Sequence, residues 1–112
     1  MSRDYKVYLD DVREAIGKIR RYTEGMSRDS FFADERTIDA VVRNLEVIGE
    51  AVKNLPGSMR DQYPDVEWQK IAGLRDILIH EYFGIDAEII WDIVQTKLLA
   101  LADRVEEALK GQ

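Results

Sequence analysis

The apolar residues of this chain recur at steps of three and four almost from end to end, the period of an α-helix that buries one face. Between Arg3 and Thr23 the stripe runs through Tyr5, Tyr8, Leu9, Val12, Ile16, Ile19 and Tyr22, which predicts a first helix. Gly25 and the polar run Ser27-Arg28-Asp29-Ser30 break the pattern, and a short helical turn is expected around Phe31 and Phe32. A second long helix is predicted from Asp34 to Leu55, where Ile38, Val41, Leu45, Ile48, Val52 and Leu55 alternate steps of three and four as a packing seam does. Gly49 lies inside it; glycine costs a helix interior about 1 kcal/mol relative to alanine, so another helix is expected to approach closely there. Pro56-Gly57 ends this helix, and Ser58 to Asp65 reads as a connector with one helical turn, closed by Tyr63-Pro64. A third helix is predicted from Val66 to His80, carrying Trp68, Ile71, Leu74, Ile77, Leu78 and Ile79 and interrupted by Phe83-Gly84. Asp86 is the expected N-cap of the last helix, with Glu88 in its first turn to suit the dipole. Ile90, Ile93, Val94, Leu98, Leu101, Val105 and Leu109 form that helix's buried face, and Lys110-Gly111 its end. No stretch reads as a strand, an internal repeat or low-complexity sequence. The expected fold is all-α: a single domain over residues 1–112, an up-and-down bundle of four to five helices.

Composition narrows the chemistry. A chain of 112 residues buries enough apolar surface for one core. It has no cysteine, which excludes disulfides, thiolate-bound zinc and a cysteine nucleophile and suits a reducing compartment. Met1-Ser2-Arg3-Asp4-Tyr5-Lys6 is charged instead of apolar, and no apolar run has the length of a membrane span. The expectation is a soluble, cytoplasmic protein. The net charge is −6, with both signs interspersed. That balance argues against a general nucleic-acid binder, although a local basic cleft suffices for catalysis on RNA. Arg43, Lys70 and Arg75 are the cations whose placement bears on the point.

The chain has one histidine, in the run Arg75-Asp76-Ile77-Leu78-Ile79-His80-Glu81-Tyr82. An i,i+4 spacing puts Asp76 and His80 on one helical face, where the carboxylate can fix the tautomer of the imidazole and raise its basicity. Arg75 and Tyr82 fall within about 20° on the helical wheel, whereas Arg75 and His80 are about 140° apart. The latter two meet at one phosphate only if the helix unwinds near His80 or two chains contribute. By spacing alone, a lone histidine near a helix end is most often structural, and an arginine beside an aspartate is an ordinary solvated pair. Glu46 and Glu50 raise the idea of a carboxylate-bridged dimetal bundle. Such sites need a Glu-x-x-His pair, and the residue three before His80 is Ile77, so no metal site is expected. Asp10, Asp11 and Glu14 read as surface acids, and Trp68 and Trp91 as core or dimer packing.

The segment resembles the R-x4-H-x-Y signature of HepT-like toxins in the HEPN superfamily, matched by Arg75, His80 and Tyr82, with Asp76 at the polar position after the arginine. The block from Arg43 to Ala51 is similar to that family's second helix. Tyr63-Pro64, Trp68 and the run Ile71-Ala72-Gly73-Leu74-Arg75 are similar to its approach to the motif. Together the likeness covers Phe32 to about Trp91. It implies an HEPN-like homodimer acting as an endoribonuclease toxin without metal or cofactor, with Arg75 and His80 as catalytic residues in a cleft between protomers and transfer RNA as the expected substrate. It also implies a minimal nucleotidyltransferase antitoxin that AMPylates Tyr82, and an orienting role for Asp76, Arg43, Glu46 and Glu50. Alternatives stay open. Arg43, Glu46 and Glu50 either hold the motif arginine, face a partner chain, or form a solvated face of ion pairs; Tyr82 either accepts AMP or packs against the bundle end. The domain itself is alternatively a non-catalytic substrate-binding or regulatory subunit of a nucleotidyltransferase, or a purely structural dimerisation unit. The intact Arg75/His80 pair is what separates the enzyme from these.

Overall fold

The computed structural model describes residues 4–74 and 87–111. Helix α1 spans Tyr5–Thr23 and begins at Asp4, whose carboxylate accepts the Lys6 N–H at 3.0 Å. It stops in a tight turn: Glu24 takes φ −56°, ψ 128°, Gly25 takes φ +75°, and the Met26 N–H donates to the Thr23 carbonyl at 3.0 Å. These are the angles of a type II turn, whose third residue needs a positive φ that glycine adopts without strain. Helix α2, Arg28–Phe32, is set by a reciprocal cap in which Ser27 and Ser30 each accept the other's backbone N–H. Helix α3, Glu35–Lys53, starts from Asp34, whose carboxylate accepts the Thr37 N–H at 3.1 Å. It ends at Asn54, whose side-chain amide donates to the Glu50 carbonyl at 2.8 Å.

Two short helices follow, α4 over Gly57–Arg60 and α5 over Trp68–Ala72. The last helical stretch comprises α6, Ala87–Asp92, a π-helical turn over Ile93–Lys97, and α7, Leu98–Lys110. Helix α1 packs most extensively on α3; α3 also packs on α5, α1 on α7, and α2 lies against both α3 and α6. Leu9, Val12 and Ile19 of α1, Val41, Leu45, Ile48 and Val52 of α3, and Ile90, Leu101 and Val105 of the last stretch are almost wholly shielded from solvent. Phe31, Met59 and Trp68, from the short helices, are buried with them, and Gly49 is buried within α3. Among the described residues there is no strand, and the expected all-α bundle is what forms. No described helix is long and apolar enough to cross a membrane.

The third helix starts later than the expected Val66, and its expected end at His80 lies outside the described residues. It begins at Trp68, because Glu67 takes φ −81°, ψ 66°, an inverse γ-turn in which the Trp68 N–H bonds to the Val66 carbonyl at 2.9 Å. A turn at Gly73 then interrupts it before helical geometry returns at Leu74. The π-helical turn was likewise not expected from the apolar period, yet its cause lies in that period. The buried positions run Ile90, Val94, Leu98, Leu101, Val105 and Ala108, so two steps of four occur in succession. Four residues of α-helix overshoot a full turn by about 40°, and two such steps would rotate the stripe off the core by about 80°. A wider i→i+5 turn absorbs the excess. Inside it the Thr96 hydroxyl donates to the Asp92 carbonyl at 2.7 Å, competing with the regular backbone bond.

Candidate functional site

Arg75, Asp76, His80 and Tyr82 lie outside the described residues, as do the helix-end signals Phe83-Gly84 and Asp86. The chain on both sides of them is defined. On the upstream side the anchor is Trp68. Its indole N–H donates to the carbonyls of Arg60 at 3.1 Å and Tyr63 at 3.0 Å, while its ring is buried in the core. One side chain thereby ties the connector to α5, and Ile71, Ala72 and Leu74 continue the contact with the core. The same region is tied to the last helical stretch by charge. Arg104 of α7 bonds Asp65 at 2.8 Å and Glu107 at 2.7 Å. Glu67 accepts from Lys70 at 2.6 Å and from Lys97, in the π-helical turn, at 3.4 Å.

The Lys70 ammonium, and after it Lys97, holds the Glu67 carboxyl below its ordinary value of 4.5; Glu67 in turn holds Lys70 above 10.5. All three side chains are solvent-exposed, Lys70 by 82%, so the group adds little to stability. Two ammonium groups share the Glu67 carboxylate, while beside them the one guanidinium of Arg104 is shared by the Asp65 and Glu107 carboxylates.

On the downstream side the anchor is α2. Arg28 bonds the carboxylate of Glu88 in the first turn of α6, and the Phe31 and Trp91 rings lie 5.1 Å apart between centroids at 39°. On α3, Arg43 and Glu46 are brought together as an i,i+3 pair at 3.9 Å, with Arg43 75% exposed and Glu46 half-buried, and Glu50 is exposed on the same helix. Asn44 beside them is buried, and its amide donates to the Ala40 carbonyl at 2.9 Å. Arg28, Glu67 and Lys97 had no assigned role in the sequence reading. Lys97 lies thirty residues from Glu67 and Arg28 sixty from Glu88, distances over which periodicity carries no signal.

Comparison with known proteins points one way. The chain matches the family described as Ribonuclease HepT-like over residues 12–108, which includes Arg75 to Tyr82. A Methanocaldococcus jannaschii protein provisionally named an RNase is 48% identical over 109 residues, 97% of this chain and 90% of the relative. A Caldanaerobacter subterraneus protein, also provisionally named an RNase, is 41% identical over 105 residues, 94% of each chain. A Thermococcus cleftensis protein provisionally named ribonuclease HepT is 39% identical over 110 residues, 98% of this chain and 100% of the relative. No solved structure matches.

Proposed function

The chain belongs to the HepT-like ribonuclease family, and on that premise we propose that it is a cytoplasmic endoribonuclease toxin cleaving RNA with Arg75 and His80. The observation that carries this reading is the family match spanning residues 12–108, with Arg75, His80 and Tyr82 all in place at the R-x4-H-x-Y spacing. Exposed Lys70, five residues before Arg75, and Lys97, which shares the Glu67 carboxylate with it, support it as ammonium groups available to a phosphate backbone.

In the proposed reaction a neutral His80 accepts the proton of a ribose 2′-hydroxyl, with an unperturbed imidazole pKa of about 6.5 suited to the task. The 2′-oxygen bonds to the adjacent phosphorus and the bond to the 5′-oxygen breaks, leaving a cyclic phosphate and a 5′-hydroxyl. Arg75 binds the phosphoryl oxygens through its planar fork and opposes the negative charge that grows in the transition state. One chain carries a single histidine, so a homodimer supplies the second, protonated imidazole that gives its proton to the leaving oxygen. DNA lacks the attacking hydroxyl and is spared. Asp76 orients His80, while Arg43, Glu46 and Glu50 of α3 orient the motif arginine. Metal takes no part.

Tyr82 is the regulatory site of the proposal. A minimal nucleotidyltransferase antitoxin moves AMP from ATP to the tyrosine hydroxyl, releasing pyrophosphate. The added diester charge repels RNA phosphate from Arg75.

Incubation of the purified chain with a transfer-RNA pool in EDTA tests the reading. The wild type is expected to cleave, and His80→Ala and Arg75→Ala to be inactive while eluting as the same dimer. Undiminished cleavage by a folded His80→Ala protein refutes the assignment, and a wild type inert on every RNA returns the chain to a regulatory subunit. For Tyr82, mass spectrometry after incubation with the transferase and ATP is expected to show AMP on that residue. Neutralisation of Tyr82→Phe by the same partner overturns the role.

A further inference from the structure

Glu67 stands immediately before α5, yet its carboxylate caps nothing. Among the described residues it accepts from Lys70 at 2.6 Å and from Lys97 at 3.4 Å, each ammonium on a different oxygen. Asp4 and Asp34, at the starts of α1 and α3, accept backbone N–H groups instead. Breaking the two bonds of Glu67 therefore orphans no backbone donor. Glu67, Lys70 and Lys97 are exposed by 44%, 82% and 59%, and an ion pair so placed contributes at most about 5-fold to an equilibrium constant. The Glu67 carboxyl is held below its ordinary 4.5, by Lys70 first and then by Lys97, so it is fully charged at neutral pH.

What this arrangement fixes is a place for an anion. Ammonium groups from α5 and from the π-helical turn converge on one negative charge spread over two oxygens. A phosphodiester offers the same charge on the same number of free oxygens, and lysine binds either as a point charge. Arg104 is arranged the other way, with one guanidinium between the carboxylates of Asp65 and Glu107.

We propose that Glu67 holds the place of an RNA phosphate: as a strand binds, Lys70 and Lys97 pass from the carboxylate to a phosphodiester, and Glu67 competes with the strand for them. The inference rests on the proposed function for RNA as the ligand, but not for the cleavage chemistry.

Equilibrium binding to the full chain tests it, with a fluorescent single-stranded RNA whose 2′-hydroxyls are all methylated, so that no attacking group is present. Glu67→Gln is expected to lower Kd about 3-fold at low salt, and Lys70→Gln and Lys97→Gln each to raise it about 2- to 5-fold. With both lysines replaced, adding Glu67→Gln is expected to change nothing, because the contact it relieves is gone. Glu14→Gln is the control for net charge: Glu14 faces Lys18 on α1, and its loss is expected to leave Kd unaltered. A Glu67→Gln protein that binds no tighter overturns the proposal. So does tightening that persists without the lysines, tightening matched by Glu14→Gln, or a strand that no variant binds. If the coupling appears while wild type leaves unmethylated RNA intact, the nuclease reading fails and the exchange stands. If wild type cleaves and the coupling is absent, the exchange alone fails.

Discussion

Replacing Trp68 by phenylalanine probes the upstream anchor, and its cost follows from two contacts. The indole N–H is shared between the carbonyls of Arg60 and Tyr63, at 3.1 and 3.0 Å. Neither carbonyl depends on it alone, since Arg60 also accepts the Tyr63 N–H at 3.0 Å and Tyr63 the Val66 N–H at 3.2 Å. The substitution therefore leaves no orphaned acceptor and removes one hydrogen bond, worth about 1 kcal/mol. The smaller ring leaves roughly 40 Å² of apolar surface unfilled at a site only 7% exposed, about 1 kcal/mol at 25 cal/mol per Å², with a further fraction for the residual cavity. The sum is about 2–3 kcal/mol, against a total of roughly 6–17 kcal/mol for a domain of this length. Trp68→Phe should fold, with its urea midpoint lowered by about 1–2 M. Circular dichroism follows the helices, and Trp91 remains as a fluorescent reporter in the same titration. A loss under about 0.5 kcal/mol would refute the bonded, buried indole, and one above about 4 kcal/mol would mean that the carbonyls had been orphaned after all.

Gly25→Ala places a side chain at φ +75° in the turn after α1 and should cost about 1–2 kcal/mol by urea unfolding, although no atom lies within 4 Å of the new Cβ. Phe31→Ala removes a fully buried ring packed at a tilt against Trp91 and should cost about 3–5 kcal/mol; calorimetry showing a change below about 1 kcal/mol contradicts the packing. Acid sensitivity follows from two carboxylates held below their ordinary values. Asp34 is lowered chiefly by the Thr37 N–H, from 3.8, and Glu67 chiefly by its bond from Lys70, from 4.5. Each stabilises the fold above its unfolded-state value and loses that contribution as pH falls through its lower folded-state value. The melting temperature should therefore decline below about pH 4.5. Asp34→Asn, which keeps an acceptor for the cap, should flatten the part of the decline that falls below the ordinary value of 3.8; an unchanged slope rules out the cap as a source.

The long helices were legible because their burial is periodic and their ends are local. Asp34 caps α3 through the N–H three residues on, and Gly25 ends α1 through its own φ. The departures arise where a residue has two uses. Val66 is apolar and in phase with the third helix, yet its carbonyl is taken by the Trp68 N–H across the non-helical Glu67, and the helix begins only after that turn. The two consecutive steps of four from Ile90 to Leu98 were visible in the sequence. Without a fixed neighbouring face, they read as drift in the stripe, and only the packed core turns that drift into a wider turn.

The chemistry was legible to a different degree. A wheel alone sets Arg75 and His80 on different sides of a helix, by about 140°, so periodicity could not join them, and their meeting at one phosphate is a proposal that rests on the resemblance to the R-x4-H-x-Y pattern. Nor could composition locate the field an RNA would meet. A net charge of −6 describes the molecule beyond a screening length of about 8 Å at physiological salt, whereas a phosphate at the surface responds to what lies within it. Several acids are engaged by cations in the fold: Asp10 and Glu106 face Arg13, Glu14 faces Lys18, and Asp65 and Glu107 face Arg104. Around Glu67 the ratio is reversed, with Lys70 and Lys97 on one carboxylate. Arg43 projects from α3 with three-quarters of its side chain in solvent. Beside the Glu67 carboxylate, Asp65 and Glu107 share the one guanidinium of Arg104. The ion pairs of this face together carry three positive and three negative charges, and Lys70, Lys97 and Arg43 reach a phosphate as single exposed cations within an overall balanced surface.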